Sequence, residues 1–304
     1  MARPASELYV AQSGLPAAYP SAVSVSGCRG PRRHTDQLRV PVVGEGTEAC
    51  LALHTLEKVT AVSRETLAAL AGRWGLAPDA PDRLAALLIA LAGEPDPHTT
   101  VSEPHRAIDV HIGDSLVALD VAALRGASRI VDIGAGAGFP GLPLAVALPG
   151  AEVDLVEAAT RKVAVIERLA AAAGVHNARA VHARAEEWAA GAGAGRYDVA
   201  TARAVAPLSV LVEYAAPLLV PGGLFLAWKG APAREEVEDG AAAAGELGLE
   251  PIEVRPVQPF GSAEQLHLYL YSKVADTPAG FPRRPGRAAK RPLGANKRAQ
   301  EPLT

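Results

Sequence analysis

The feature that most limits what this 304-residue chain can fold into is a regular alternation of short apolar runs with amphipathic stretches, beginning near residue 128. Strands are expected at Arg129–Ile133, Val153–Glu157, Arg179–His182, Asp198–Ala202 and Leu224–Trp228. Helices are expected at Leu142–Leu148, Arg161–Gly174, Leu208–Val220 and Ala233–Leu247. Such alternation calls for a parallel sheet with helices on both faces, because parallel neighbours need crossover connections. Two further strands, Ile252–Val257 and Leu266–Val274, are separated only by the loop Gln258–Glu264. That loop is too short for a crossover helix, so the last two strands should pair antiparallel. Five parallel strands closed by such a pair make a seven-stranded, mostly parallel α/β sheet of the Rossmann-like, doubly wound kind.

The first strand leads into Val131-Asp-Ile-Gly134-Ala-Gly136-Ala-Gly138-Phe-Pro-Gly141-Leu-Pro143. Glycines at these positions let the backbone turn sharply off a strand end and approach a ligand closely. Glu157 ends the next strand, 23 residues after Gly134, where a carboxylate can accept hydrogen bonds from both ribose hydroxyls of a nucleoside. Two cofactor classes use this arrangement. Gly136, Gly138 and Gly141 satisfy the dinucleotide fingerprint, so an NAD-dependent oxidoreductase is one reading. Three features favour S-adenosylmethionine instead. Gly134 puts the fingerprint two residues late, Asp132 stands where it can reach the amino-acid part of that cofactor, and the closing antiparallel pair belongs to the class I methyltransferase plan.

Ahead of the sheet, three helices are expected. One opens at Ser63 with Leu67, Leu70 and Trp74 at helical spacing; a second covers Pro81–Leu91; a third starts near Pro104 and carries His111, Ile112 and Leu116. The chain therefore divides into an irregular extension (1–62), a helical lead-in (63–127), the core (128–280) and a basic tail (281–304). A hydrophobic content of 49% is enough for a sizeable core. Cys28 and Cys50 form no metal-ligand spacing, so neither a disulfide framework nor a metal site is expected. Without an apolar run of about 20 residues or a secretion signal, a cytoplasmic protein without membrane contact is expected.

The net charge of −3 is unevenly spread. From Phe281 onward the chain carries +6, so −9 falls on everything before it. Any polyanion contact is thus expected to be local, through Arg283, Arg284, Arg287, Lys290 and Arg291. From charge alone, a solvated terminus explains the tail equally well.

At these motifs the sequence resembles the bacterial RsmG or GidB family, the 16S rRNA guanine-N7 methyltransferases. His111-Ile-Gly-Asp-Ser-Leu116 is similar to the family's segment before the core, and Asp132–Pro143 to its extended glycine loop. Ala185-Glu186, the strand ending at Arg203, and Pro221–Gly230 follow its pattern. The tail Phe281–Leu293 resembles the family's terminal motif in its Pro and Gly positions as well as its charges. The resemblance covers about residues 63–293; the first 60 residues have no counterpart, and Gly93-Glu94-Pro95 replaces a Trp-Asn pair common there. It implies cofactor contacts at Gly134, Phe139, Ala185, Glu186 and Arg203, beside the Asp132, Gly136 and Glu157 read from the loop itself. It also implies the small ribosomal subunit or its 16S rRNA as partner.

Guanine N7 carries an outward lone pair and no proton, so no general base is expected. Alignment of the reactants should supply the rate, an effect worth about 7–11 kcal/mol. Arg203 and Lys229 stand nearest to a catalytic role, while His111 and Asp114, three residues apart, are expected to orient the lead-in. A non-catalytic RNA-binding protein, or a methyltransferase acting on a small molecule or a protein, are the competing readings.

Overall fold

A computed structural model describes residues 63–97, 99, 101, 104–203, 206–261, 263 and 265–294. The expected extension 1–62, with both cysteines, and the tail from 295 onward lie outside the described residues.

The lead-in is helical. Helices α1 (residues 63–74) and α2 (Ala80–Ala92) bury Leu67, Leu70, Trp74, Leu84, Leu87 and Leu91, the single stripe their spacing predicts. The third expected helix is composite: α3 (Pro104–Ala107), a π-helical stretch Ile108–Gly113, α4 (Asp114–Leu116) and a 3-10 turn Val117–Asp120, followed by α5 (Ala122–Arg125). The wider π turns re-aim the side chains that follow them. These helices are not a separate cap. Their buried side chains share one apolar cluster with Ile130, Leu142, Ile166 and Leu226 of the sheet domain.

The core runs β1 (Arg129–Ile133), α6 (Gly141–Ala147), β2 (Glu152–Glu157), α7 (Thr160–Ala172), β3 (Ala178–His182), α8 (Ala185–Ala189) and β4 (Tyr197–Arg203). It continues through α9 (Leu208–Ala215), β5 (Leu219–Lys229), α10 (Arg234–Glu246), β6 (Leu249–Val257) and β7 (Leu266–Lys273), and α11 (Arg287–Lys290) lies in the tail. The seven strands lie in the order β3-β2-β1-β4-β5-β7-β6. The first five are parallel, and β7 inserts antiparallel between β5 and β6. The expected sheet is thus present, with α8 as an element the periodicity did not signal. Side chains alternate along β5: Leu224, Leu226 and Trp228 join the lead-in face, Phe225 and Ala227 the opposite one.

Strand order reverses at β1, whose neighbours are β2 and β4. The helices leave these strands on opposite faces, and a crevice opens at the carboxyl edge where they part.

The tail is not free as far as Gly294. Arg283 chelates the fully buried carboxylate of Glu213 on α9, its Nε at 2.7 Å and its Nη2 on the second oxygen. Phe281 and Leu293 pack on the second-face cluster, and Ala288 is buried.

Gly141, the first residue of α6, leaves no room for a side chain. An added Cβ would stand 2.7 Å from Leu155 Cδ2 and 2.9 Å from Asp132 Oδ2. Gly141→Ala is expected to lower unfolding free energy in urea by about 1–3 kcal/mol, the usual cost of overpacking.

Candidate functional site

The turn after β1 places Gly134, Gly136 and Gly138 at φ +68°, +60° and +100°, a region that side-chain-bearing residues rarely adopt. The Gly134 and Ala135 N–H groups both donate to Val156 O, at 2.9 and 3.1 Å, which ties the turn to the end of β2. Glu157 completes the tie: its Oε2 accepts from Gly136 N–H at 3.0 Å and its Oε1 from Ala159 N–H at 2.9 Å. Beside this turn lies a cavity of about 460 Å³. Its lining includes Gly134, Gly136, Glu157, Ala185, Glu186 and Arg203, six of the residues singled out from the sequence. They converge from the carboxyl ends of β1, β2 and β4 and from the start of α8.

The cavity suits a nucleoside. A carboxylate offers about four lone-pair positions, and Glu157 has committed one on each oxygen to a backbone N–H, of Gly136 in the turn and of Ala159 before α7. The remaining pair can accept a vicinal diol. No atom stands within 4 Å of a Cβ built on Gly136, so a ligand can approach the backbone there.

Four of the expected residues are engaged elsewhere in the structure. Asp132 does not face the cavity: it is buried under α6, Oδ2 accepting from Gly141 N–H at 2.9 Å and Oδ1 from the Thr201 hydroxyl at 3.0 Å. Its task is to hold the start of α6 against the sheet. Phe139 is outside the cavity lining and stacks instead on His111, ring centroids 4.6 Å apart. Lys229 lies in a neighbouring depression at the β5 end, paired with Glu236 at 2.6 Å and donating to Ala206 O at 3.2 Å. Arg283, expected to meet RNA, is spent on Glu213. The tail's other basic side chains among the described residues, on Arg284, Arg287, Lys290 and Arg291, are exposed.

Arg203, half-buried, finds its anionic partner on the lead-in. Its Nη1 donates to Asp114 Oδ2 at 3.0 Å and to Val110 O at 2.8 Å, both on the lead-in. Trp228 Nε1 donates to Asp114 O at 2.8 Å. The lead-in is thereby latched to β4 and β5. Burial pushes the Asp114 carboxyl upward against the pull of Arg203. Burial, reinforced by the Arg203 charge, lowers His111 to about 4. Among the described residues, His111 Nδ1 and Asp114 Oδ1 are buried without a hydrogen-bond partner. Asp132 is raised to about 7 by burial, the Gly141 and Thr201 bonds opposing.

Sequence reasoning missed Lys162, Arg184 and Tyr214, which also line the cavity. It also missed Glu213 as the tail's anchor. Arg184, next to the singled-out Ala185, was the one within reach of a sequence signal; Tyr214 and Glu213 sit on α9 with no pattern to mark them. Among the described residues no cluster of His, Cys, Asp and Glu has metal-binding geometry.

Residues 87–263 match the family described as GidB, rRNA small subunit methyltransferase G. A Ribosomal RNA small subunit methyltransferase G from Desulfitobacterium hafniense (strain Y51) is 39% identical over 196 residues, 64% of this chain and 81% of that protein. One of the same name from Roseiflexus castenholzii (strain DSM 13941 / HLO8) is 44% identical over 173 residues, 55% of this chain and 71% of that protein.

The lowered His111 has a consequence for stability. A base whose folded pKa is depressed stabilises the fold above its unfolded value and loses that contribution as pH falls towards the folded one. The window here runs from 6.5 down to about 4. His111→Phe keeps the stack on Phe139 and removes the titration. Between pH 7 and pH 4 the parent is expected to lose roughly 3 kcal/mol more unfolding free energy than this variant, as read from urea melts.

Proposed function

The chain belongs to the GidB family, rRNA small subunit methyltransferase G, and from that premise we propose that it transfers the methyl group of S-adenosylmethionine to N7 of a guanine in 16S ribosomal RNA. The observation that carries the reading is the juxtaposition of the glycine turn with Glu157, whose carboxylate both shapes the turn and faces the cavity beside it. When bound, the cofactor supplies a methyl group activated by a positively charged sulfonium.

The chain's own residues bind, align and exclude water. Glu157 would accept from the ribose hydroxyls, and Gly134 and Gly136 would give the backbone close approach to the rest of the cofactor. Ala185 and Glu186, which line the cavity, would face the adenine edge. Arg203, held by Asp114, closes the cavity at the β4 end. Phe139 acts one step back, fixing the turn against the lead-in through His111. The target base enters from the depression at the ends of β4 and β5, where Lys229 is the donor for guanine O6. No residue is needed to remove a proton, because the N7 lone pair is already free. Catalysis is then a matter of proximity and orientation. A base so deep must leave its stack, which favours a looped or single-stranded site.

Family membership stands against the oxidoreductase reading. No helix among the described residues is long and apolar enough to cross a membrane, and a cytoplasmic place beside ribosomal RNA is part of the proposal. The test is transfer of labelled methyl from S-adenosylmethionine to small-subunit ribosomal RNA, with the modified nucleotide mapped. Label on a guanine that blocks N7 chemistry supports the reading; cofactor binding without any RNA labelling leaves a non-catalytic binder. In the same assay Glu157→Ala is expected to weaken cofactor affinity on the order of a hundredfold, since two hydrogen bonds to a charged acceptor are lost. Unchanged affinity by calorimetry would remove Glu157 from the site.

A further inference from the structure

The segment that carries the outward basic side chains also holds a wall of the cavity. Gly286 N–H donates to Glu186 Oε1 at 2.8 Å, and the Tyr214 hydroxyl bonds the same carboxyl group. Glu186 and Tyr214 both line the cavity, and Glu186 is only 5% exposed. Gly286 takes φ +76°, which turns its N–H inward while the chain on either side runs over the surface. The anchor three residues earlier is the Arg283–Glu213 pair, on the helix that also bears Tyr214. Arg284, Arg287, Lys290 and Arg291 face solvent, and exposed Arg184 stands at the cavity itself.

We propose that residues 281–293 are a strap that couples RNA engagement to cofactor affinity, with Arg283 and Glu213 as positioning residues. This rests on the methyltransferase reading above. Phosphates held on the outer face keep the strap docked; the docked strap keeps Glu186 and Tyr214 in place; the cavity then binds its nucleoside more tightly. Coupling of this kind is reciprocal, so the cofactor strengthens RNA binding by the same factor.

The decisive measurement is cofactor affinity by calorimetry on the full chain, with and without saturating small-subunit ribosomal RNA transcribed in vitro. RNA occupancy is followed separately by fluorescence anisotropy. For the parent, RNA is expected to tighten S-adenosylmethionine binding by about fivefold or more. In Arg283→Ala the gain should fall below about twofold even with RNA bound, and Arg283→Lys, which keeps the charge on Glu213, should restore part of it. Should Arg283→Ala lose its far-ultraviolet dichroism, Glu213→Gln, which removes the charge that holds Arg283 and lies outside the cavity lining, takes its place with the same expectation. Equal cofactor affinity with and without bound RNA in the parent overturns the coupling and leaves the methyltransferase reading intact. A full gain in the folded variant overturns the strap as its route. A parent that binds no cofactor at all overturns the functional reading beneath both.

Discussion

The carboxylate of Glu157 is the point on which the site depends. Its two oxygens take the N–H groups of Gly136 and Ala159, so one side chain at the end of β2 holds the turn after β1 and the approach to α7. A left-handed glycine turn has few alternatives to water for its inward N–H groups, and a charged acceptor satisfies them strongly. The same group then has lone pairs left for a ligand. In the proposed reading, shape and recognition are carried by one residue, the pairing of turn and acid that nucleotide-binding sheets of this order use.

A second carboxylate, Asp132, does a quieter task. It is one residue from the strand end and shows a carboxyl group on the face where α6 begins, so the Gly141 N–H and Thr201 hydroxyl claim it. With Gly141 packed against Leu155, the helix start is fixed to the sheet with no room to slide. The lead-in is fixed in another way. Arg203 and Trp228, at register-paired positions on β4 and β5, both reach the stretch around Asp114. The π-helical turns put that stretch where both can reach it, and they bury His111 against Phe139. The helices before the sheet are therefore part of the site's framework, bound by an ion pair, an indole bond and a common apolar core.

The tail joins that framework from the other face. Burying Glu213 without a partner would be costly, and Arg283 supplies a bidentate one from 70 residues away. The exchange turns part of a basic terminus into structure. What remains outward is a shorter basic surface, from Arg284 to Arg291, on a segment whose Gly286 N–H bonds the cavity-lining Glu186.

Much of this was legible in the chain itself. Periodicity of two and of 3.6 separated the strands from the helices, because burial against a common core imposes those spacings on any sequence that folds this way. The short loop before β7 settled its direction, since no crossover fits there. The glycine positions, through backbone sterics, and Glu157, through its acceptor chemistry, pointed to the cavity that they do line. The partners of individual charges were not legible. Arg203 meets Asp114 across 89 residues, Arg283 meets Glu213 across 70, Glu186 meets Gly286 across 100, and Asp132 turns inward instead of towards a ligand. A charge in sequence announces that it needs a partner but not where that partner stands; only the packing of the folded chain, which brings distant segments within hydrogen-bond reach and excludes water around them, made those assignments.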